Sequence, residues 1–77
     1  MHPIHPPSLR LGSRGSEVVR LQRALREQGY LLRPDGRFGP MTREAVMTFQ
    51  STHRLPPTGE MGSAAWEALE GALSSPR

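Results

Sequence analysis

Asp35-Gly36-Arg37-Phe38-Gly39-Pro40-Met41-Thr42 is the stretch that decides the expected fold, because a second stretch repeats its pattern. Thr58-Gly59-Glu60-Met61-Gly62-Ser63-Ala64-Ala65 also has a Gly-x-x-Gly spacing with one large apolar residue between the glycines. A third Gly-x-x-Gly pair stands at positions 12 and 15. Glycine adopts positive φ without a Cβ clash, so a tight turn of this kind can lead directly into a helix. The spacing predicts a helix after each pair, with Phe38 and Met61 pointing into the core.

Apolar periodicity after these turns predicts the helices themselves. The first is expected over Glu17 to Gln28, with Ser16 as its N-cap and Gly29 at its end. The second is expected from Pro40 to about Thr52, and the third from near Ser63. The side chains expected to face the core are Val18, Leu21, Leu25, Met41, Ala45, Val46, Phe49, Ala65, Trp66, Leu69 and, at the margin, Leu73. The sequence thus predicts an all-α fold, a compact three-helix bundle with a Gly-x-x-Gly turn before each helix.

The length and composition predict one small domain. The chain has 77 residues and no cysteine, which excludes a disulfide framework, a thiolate zinc site and a thiol nucleophile. We expect residues 1–8, which are rich in proline, to form a flexible N-terminal segment. Residues 9–73 are expected to fold, and residues 74–77 to form a tail or the start of a linker. Whether the 77 residues are a full protein or an excised domain stays open at this point.

Charge favours anionic partners, but only modestly. All ten basic residues are arginine, and with seven acidic residues the formal net charge is +3. Arginine binds carboxylate or phosphate through two parallel hydrogen bonds. The acidic residues are interspersed among the arginines, so we expect no dedicated charge patch. No apolar run approaches the length of a membrane span, and residues 1–8 lack the apolar stretch of a signal peptide, so we expect no membrane partner.

Catalytic arrangements are not recognisable in this sequence. A serine nucleophile needs a positioned base and an orienting group, and the Gly12–Ser16 stretch is not a Gly-x-Ser-x-Gly elbow. His53 stands alone near a helix end, and His2 and His5 on a flexible terminus would make a poor metal site. Turn geometry explains Asp35 and Glu60 more simply than a pair of glycosidase carboxylates does. We therefore expect no enzyme activity, no cofactor and no metal.

Three blocks of glycines, apolar residues and glutamines follow one another along the chain. They are Leu11-Gly12-x-x-Gly15-x-x-Val18-x-x-Leu21-Gln22-x-x-Leu25-x-x-x-Gly29-Tyr30, then Asp35-Gly36-x-Phe38-Gly39-x-x-Thr42-x-x-Ala45-Val46-x-x-Phe49-Gln50, then Leu55 through Thr58-Gly59-x-Met61-Gly62 to Trp66-x-x-Leu69. In this order they resemble the peptidoglycan-binding domain type 1 family. The resemblance covers nearly the whole expected folded unit, and the ordered set is far more specific than any single Gly-x-x-Gly pair.

The resemblance implies a non-catalytic, three-helix module that binds cell-wall peptidoglycan. Such modules are usually attached to a wall enzyme such as an amidase, muramidase, carboxypeptidase or transpeptidase, including phage endolysins. The implied partners are therefore peptidoglycan and a fused or associated wall-active enzyme, and the implied place of action is the bacterial cell wall. The sequence departs from the family pattern at Ala65, where the family often has Thr, and at His53-Arg54-Leu55, which replaces a more usual glycine before the leucine.

Peptidoglycan presents carboxylates, amides and sugar hydroxyls, which suit arginine forks, glutamine amides and aromatic faces. The residues expected to contact it in a shallow groove are Tyr30, Asp35, Arg37, Arg43, Gln50 and Arg54. Each also has a structural explanation. Asp35 is expected to bond backbone N–H groups of its own turn first and ligand second, and Gln22 and Gln50 are both able to bond turn backbone, an explanation that we prefer for Gln22.

Two other classes of function stay open from the sequence. A small basic helical domain can bind nucleic acid, but the arginines here are scattered and share their faces with acidic residues, which argues against nucleic acid as a partner. A protein-interaction or prodomain-like helical module has the same shape. The latency of metalloprotease propeptides depends on a cysteine, and this chain has none. The sequence does not indicate the stem-peptide type, a preference for peptide over glycan, or the oligomeric state.

Overall fold

The computed structural model describes residues 8–74 and contains three helices. They are α1 (Ser16–Glu27), α2 (Pro40–Thr52) and α3 (Ser63–Ser74). Each helix begins at the residue directly after the second glycine of a Gly-x-x-Gly pair, which confirms the predicted all-α fold. His2, His5 and most of the two predicted terminal segments lie outside the described residues.

Residues 9–15, which precede α1, connect to both later turns. Leu9 and Met61 exchange backbone hydrogen bonds of 3.1 and 2.7 Å, and an isolated antiparallel bridge links Arg14 to Arg37. The N–H of Gly12 donates to the carbonyl of Phe38 at 2.9 Å. Residues 12–15 therefore support the turn before α2, and Leu9 supports the turn before α3, through backbone hydrogen bonds.

The core is a single cluster that draws on all three helices and both later turns. Phe38 and Met61 are 2% and 0% exposed, which confirms the prediction that the residues between the turn glycines point inward. The other buried apolar side chains are Leu9, Val18, Leu21, Leu25, Val46, Phe49, Ala65, Trp66 and Leu69. Burial of this apolar surface is the main force that holds the helices in place. None of the helices in residues 8–74 has the length and apolar character needed to cross a membrane.

Three local expectations were wrong. Ser16 is the first residue of α1, and the N-cap is Gly15, which provides no side-chain cap. Met41 is 70% exposed, because Thr42, Val46 and Phe49 form the buried stripe of α2 and Met41 falls beside it. Leu73 is 42% exposed near the end of α3 and lies outside the core cluster.

The first two helices end in the same way, although only one of them ends with glycine. In α1, the N–H of Tyr30 donates to the carbonyl of Leu25 at 3.1 Å, with Gly29 at φ 100°. In α2, the N–H of Leu55 donates to the carbonyl of Gln50 at 2.8 Å, with Arg54 at φ 60°. Arg54 is the one described residue other than glycine that has positive φ. A left-handed residue at this position satisfies the last carbonyls of a helix.

Candidate functional site

Gln22 on α1 holds the turn that precedes α2. It is 1% exposed, and its side-chain oxygen accepts the N–H of Gly36 at 2.9 Å. Its amide nitrogen donates to Asp35 Oδ1 at 3.1 Å, to the carbonyl of Arg37 at 2.9 Å and to Thr42 Oγ1 at 3.0 Å. These bonds confirm the structural role preferred for Gln22, since a buried amide must be paired to avoid a desolvation penalty.

Gln50 on α2 does the same for the turn that precedes α3. It is 3% exposed, and its oxygen accepts the N–H of Gly59 at 2.9 Å. Its nitrogen donates to Thr58 Oγ1 at 3.2 Å and to the carbonyl of Glu60 at 2.9 Å. No bond corresponds to the one between Gln22 and Thr42, because alanine stands at position 65.

The turn glycines also sit against matching neighbours. A Cβ at Gly36 would lie 3.2 Å from a methyl group of Val19, and a Cβ at Gly59 would lie 3.0 Å from the Arg43 side chain and 3.4 Å from that of Met47. Both glycines have positive φ, 80° and 81°. Glycine is thus required at both positions by conformation and by close packing.

Two pockets lie over these turns, one on each glutamine. We call them the Gln22 pocket, which includes Arg33, Asp35 and Arg37, and the Gln50 pocket, which includes Thr58 and Glu60. Nine residues line each pocket, and the two sets correspond one to one. Gln22 corresponds to Gln50. Each of the other eight residues of the Gln22 pocket corresponds to the residue of the Gln50 pocket that lies as many positions later as Thr58 lies after Asp35. The chain therefore contains one surface feature built twice.

The Gln22 pocket carries the stronger charges. Asp35 Oδ1 accepts the N–H of Arg37 at 2.9 Å as well as the bond from Gln22. These two hydrogen bonds, first that from Arg37 and then that from Gln22, hold the pKa of Asp35 below its usual range. The same two hydrogen bonds orient its carboxylate toward the turn. The exposed residues Arg33 and Arg37 line the same pocket, and a carboxylate acceptor together with arginine donors suits a ligand that has a carboxylate and neighbouring amide groups.

Among residues 8–74, the ion pairs belong to Arg20, which reaches Glu70 at 3.2 Å and Glu17 at 3.5 Å. The guanidinium carbon of Arg20 also lies 5.3 Å from the centre of the Trp66 ring. Arg20 thus links α1 to α3 and serves the fold. Arg33 and Arg37 form no ion pair within the described part of the chain.

The structure distributes the predicted contact residues over more than one surface. Asp35 and Arg37 line the Gln22 pocket, and Gln50 lines the other pocket with its amide engaged by the turn. Tyr30 is half-buried and lines a third depression, beside Met41. Whether these residues contact a ligand stays a prediction.

The remaining two predicted contacts are exposed arginines near the ends of structural elements. Arg43 lies with its side chain against Gly59, and Arg54 follows the last turn of α2 in a left-handed conformation. Neither lines the Gln22 pocket or the Gln50 pocket.

Sequence reasoning missed Arg33 and the whole Gln50 pocket as a separate feature. The sequence contained a signal for both, because the segment from Arg33 to Asp35 before one turn corresponds to the segment from Pro56 to Thr58 before the other. Aligning the lining residues rather than the glycines alone would have shown two surfaces.

No grouping of three or more His, Cys, Asp or Glu side chains that would hold a metal ion occurs in residues 8–74. His53 is exposed at the C-cap of α2, and its ring packs on that of Phe49 with centroids 4.2 Å apart.

The family model of the putative peptidoglycan binding domain matches residues 14–69 of the chain. Among solved structures, the endolysin of the Burkholderia phage AP3 is similar at 44% identity and a TM-score of 0.83, covering 92% of this chain and 27% of the endolysin. A fused Zn-dependent amidase/peptidase/peptidoglycan-binding domain-containing protein from Clostridium acetobutylicum is similar at 34% identity and a TM-score of 0.84, covering 95% of this chain and 32% of that protein. The chain therefore spans about a third or less of these two proteins.

The SleB N-terminal domain corresponds over nearly its full length. It is 31% identical with a TM-score of 0.85, and the match covers 91% of this chain and 97% of that domain. The similarity thus extends over a separate domain in one case and over one part of a larger protein in the others.

Proposed function

The chain belongs to the family of putative peptidoglycan-binding domains, and on that premise we propose that it binds the peptidoglycan of the bacterial cell wall without catalysing a reaction. The observation that carries the proposal is the family match over residues 14–69, since the match includes both glutamines and both turns they hold. The place of action is then the cell wall, outside the cell membrane.

The Gln22 pocket is the part of the surface best suited to a peptidoglycan stem peptide. Stem peptides carry carboxylates next to amide groups. Arg33 and Arg37 offer donors for a carboxylate, and the ionised Asp35 offers an acceptor for an amide N–H. Because Gln22 fixes the turn backbone, little conformational entropy is lost when a ligand binds there.

The binding serves to hold an attached or associated wall-active enzyme close to its substrate. The similar endolysin and amidase/peptidase are longer proteins, in which the matching part is 27% and 32% of the chain. A shallow pocket of about 210 Å³ gives a weak interaction. Tethering to a second domain converts weak binding into a high effective concentration at the wall.

A pull-down on insoluble peptidoglycan sacculi tests this function. The purified chain is incubated with sacculi at two salt concentrations, with and without duplex DNA as competitor. Arg37→Ala removes a cation from the Gln22 pocket, and Arg23→Ala removes the same charge from the exposed face of α1 as a matched control. We expect the chain to sediment with sacculi despite DNA, and Arg37→Ala to weaken this by about two- to fivefold.

Two outcomes contradict the proposal. Retention lost to DNA competitor, with a steep fall as salt rises, would identify a nucleic-acid-binding domain. An absence of binding to both sacculi and DNA would favour the protein-interaction module. Equal losses for Arg37→Ala and Arg23→Ala would leave wall binding in place but remove the Gln22 pocket from it.

A further inference from the structure

The two pockets share their architecture but differ in charge. Pro56 replaces Arg33, and Glu60 replaces Arg37, so the Gln50 pocket has lost both cations of the Gln22 pocket and gained an acid. Asp35, the acid of the Gln22 pocket, is replaced by the neutral Thr58. The Gln50 pocket is therefore unsuited to a carboxylate, because Glu60 would repel it and no cation lines the pocket.

The Gln50 pocket is also larger in volume and more apolar. Ala64 and Ala65 stand where the Gln22 pocket has Met41 and Thr42, and the volume rises from about 210 to about 290 Å³. Leu55 and Pro56 complete its apolar lining. A small aliphatic group, such as a methyl, gains free energy by leaving water for such a surface.

Polar groups are available beside this apolar surface. The Glu60 side chain is exposed and makes no hydrogen bond or ion pair within residues 8–74, so its carboxylate is able to accept an N–H. Ser63 also lines the pocket and offers a hydroxyl donor. The hydroxyl oxygen of Thr58 is already engaged, since it accepts from Gln50 and from the N–H of Glu60, both at 3.2 Å.

We propose that the Gln50 pocket is a second subsite, which binds a neutral amide that carries a methyl group. The methyl lies against Leu55, Pro56 and Ala64, the amide N–H donates to Glu60, and the amide carbonyl accepts from Ser63. Peptidoglycan offers this group in two places, the acetamido substituent of its sugars and the alanine residues of its stem peptide. The inference rests on the proposed function, because that function supplies the polymer that carries both a neutral amide and the carboxylates suited to the Gln22 pocket.

Titration of the ¹⁵N-labelled chain, followed by amide chemical shifts, tests the subsite. The probes are a tetramer of N-acetylglucosamine, the same tetramer without its acetyl groups, and an N-acetylated alanyl-alanine with its C-terminus amidated. A fourth probe is the same dipeptide with a free C-terminal carboxylate. The amides of Ala64 and Ala65 report on the Gln50 pocket, and those of Arg37 and Thr42 on the Gln22 pocket.

We expect at least one neutral probe to shift Ala64 and Ala65, and the deacetylated tetramer to leave them unchanged. A response to the acetylated sugar identifies the glycan as the source. A response to the amidated dipeptide without one to the acetylated sugar identifies the stem peptide, because both probes carry an acetamido group and only the dipeptide carries alanine. If neither neutral probe shifts these amides at millimolar concentration, or if the free carboxylate shifts them more than the amide does, the inference is wrong. Sacculi binding without these shifts would leave the proposed function standing and remove only the second subsite.

A pocket-filling variant provides an independent arm. Ala64→Met places in the Gln50 pocket the side chain that stands at the matching position of the Gln22 pocket, and position 64 is exposed, so the helix accepts it. The neutral probe should bind to Ala64→Met at least about tenfold more weakly than to the unchanged chain. The shift of the Arg37 amide that the dipeptide with a free carboxylate causes should stay the same. Glu67→Met, on the solvent face of α3, is the control for an added methionine. Unaltered neutral-probe binding by Ala64→Met would overturn the assignment.

Discussion

Replacement of Arg54 by glycine is expected to stabilise this protein, although it removes a long side chain. Arg54 has φ 60°, and a side chain with a Cβ pays roughly 1–2 kcal/mol in that region. Glycine relieves this strain but costs roughly 0.5–1 kcal/mol through its more flexible unfolded chain. The difference raises the free energy of unfolding by about 0.5–1 kcal/mol, which for a domain of this size corresponds to a rise of about 2–8 °C in Tm.

Thermal and urea unfolding followed by circular dichroism measure this gain. Arg54→Ala is the matched control, because it removes the charge and the long side chain but keeps the Cβ that causes the strain. The mirror experiment is Gly29→Ala at the end of α1, where φ is 100° and a loss of about 1 kcal/mol is expected. The hydrogen bonds that fix both positions, Tyr30 to Leu25 and Leu55 to Gln50, are backbone bonds and stay in every variant.

The comparison between Arg54→Gly and Arg54→Ala decides the matter. If the two variants are equally stable, the strain argument is refuted and any change belongs to the lost charge. The same variants bear on binding, because a strained residue that is kept at a cost in stability is a candidate for function. Arg54→Gly should then hold sacculi more weakly while unfolding at higher temperature, and unchanged retention would remove Arg54 from the predicted contacts.

Three further changes probe the paired scaffold. Gln22→Ala is expected to destabilise the protein by about 2–4 kcal/mol, because it leaves the buried N–H of Gly36 without a partner, and urea unfolding at neutral pH measures the loss. Ala65→Thr should stabilise it by about 0.5–1 kcal/mol relative to Ala65→Val, since only threonine can accept from Gln50 as Thr42 does from Gln22; equal stability of the two variants would argue against this bond. Because the pKa of Asp35 is lower in the folded chain than in the unfolded one, its contribution is fully present above the unfolded value of about 3.9 and is lost as pH falls through the folded value. Asp35→Asn should remove that part of the pH dependence of urea unfolding, and an unchanged acid profile would show that another group causes it.

The fold was predictable because the signals for the helix starts are local in the sequence. A Gly-x-x-Gly pair marks each helix start, and the apolar residue between the later pairs is buried at Phe38 and Met61. The prediction for Met41 was wrong because a polar side chain took the inward position. Thr42 is 3% exposed and accepts a hydrogen bond from Gln22. A helix prediction based on the spacing of apolar residues alone does not anticipate that the hydroxyl of Thr42 is buried, because its hydrogen-bond partner lies on another helix.

The candidate site was predictable in its chemistry but not in its geometry. Arginines, Asp35 and an amide were identified from residue type, yet their grouping depends on how two turns are oriented by Gln22 and Gln50. Those bonds join residues that are 8 to 20 positions apart in the chain. The conformation of Arg54 was predictable only from the family pattern, because arginine itself gives no signal for positive φ, whereas the glycine that the family usually has before the leucine does.

The division between scaffold and surface explains how one small chain can present two unlike pockets. Each glutamine bonds the backbone of its turn through a glycine N–H and a carbonyl, so these bonds do not depend on the side chain at Arg37 or at Glu60. The side chains at these two positions are therefore free to differ in charge while the turn stays fixed. Exchange of charge across the pockets should then alter what is bound at little cost in stability, whereas loss of either glutamine alters the turn itself. Asp35 is the exception, because its carboxylate bonds the turn and also sets the charge of the Gln22 pocket; the other charged side chains proposed to select a ligand are separate from the atoms that hold each turn.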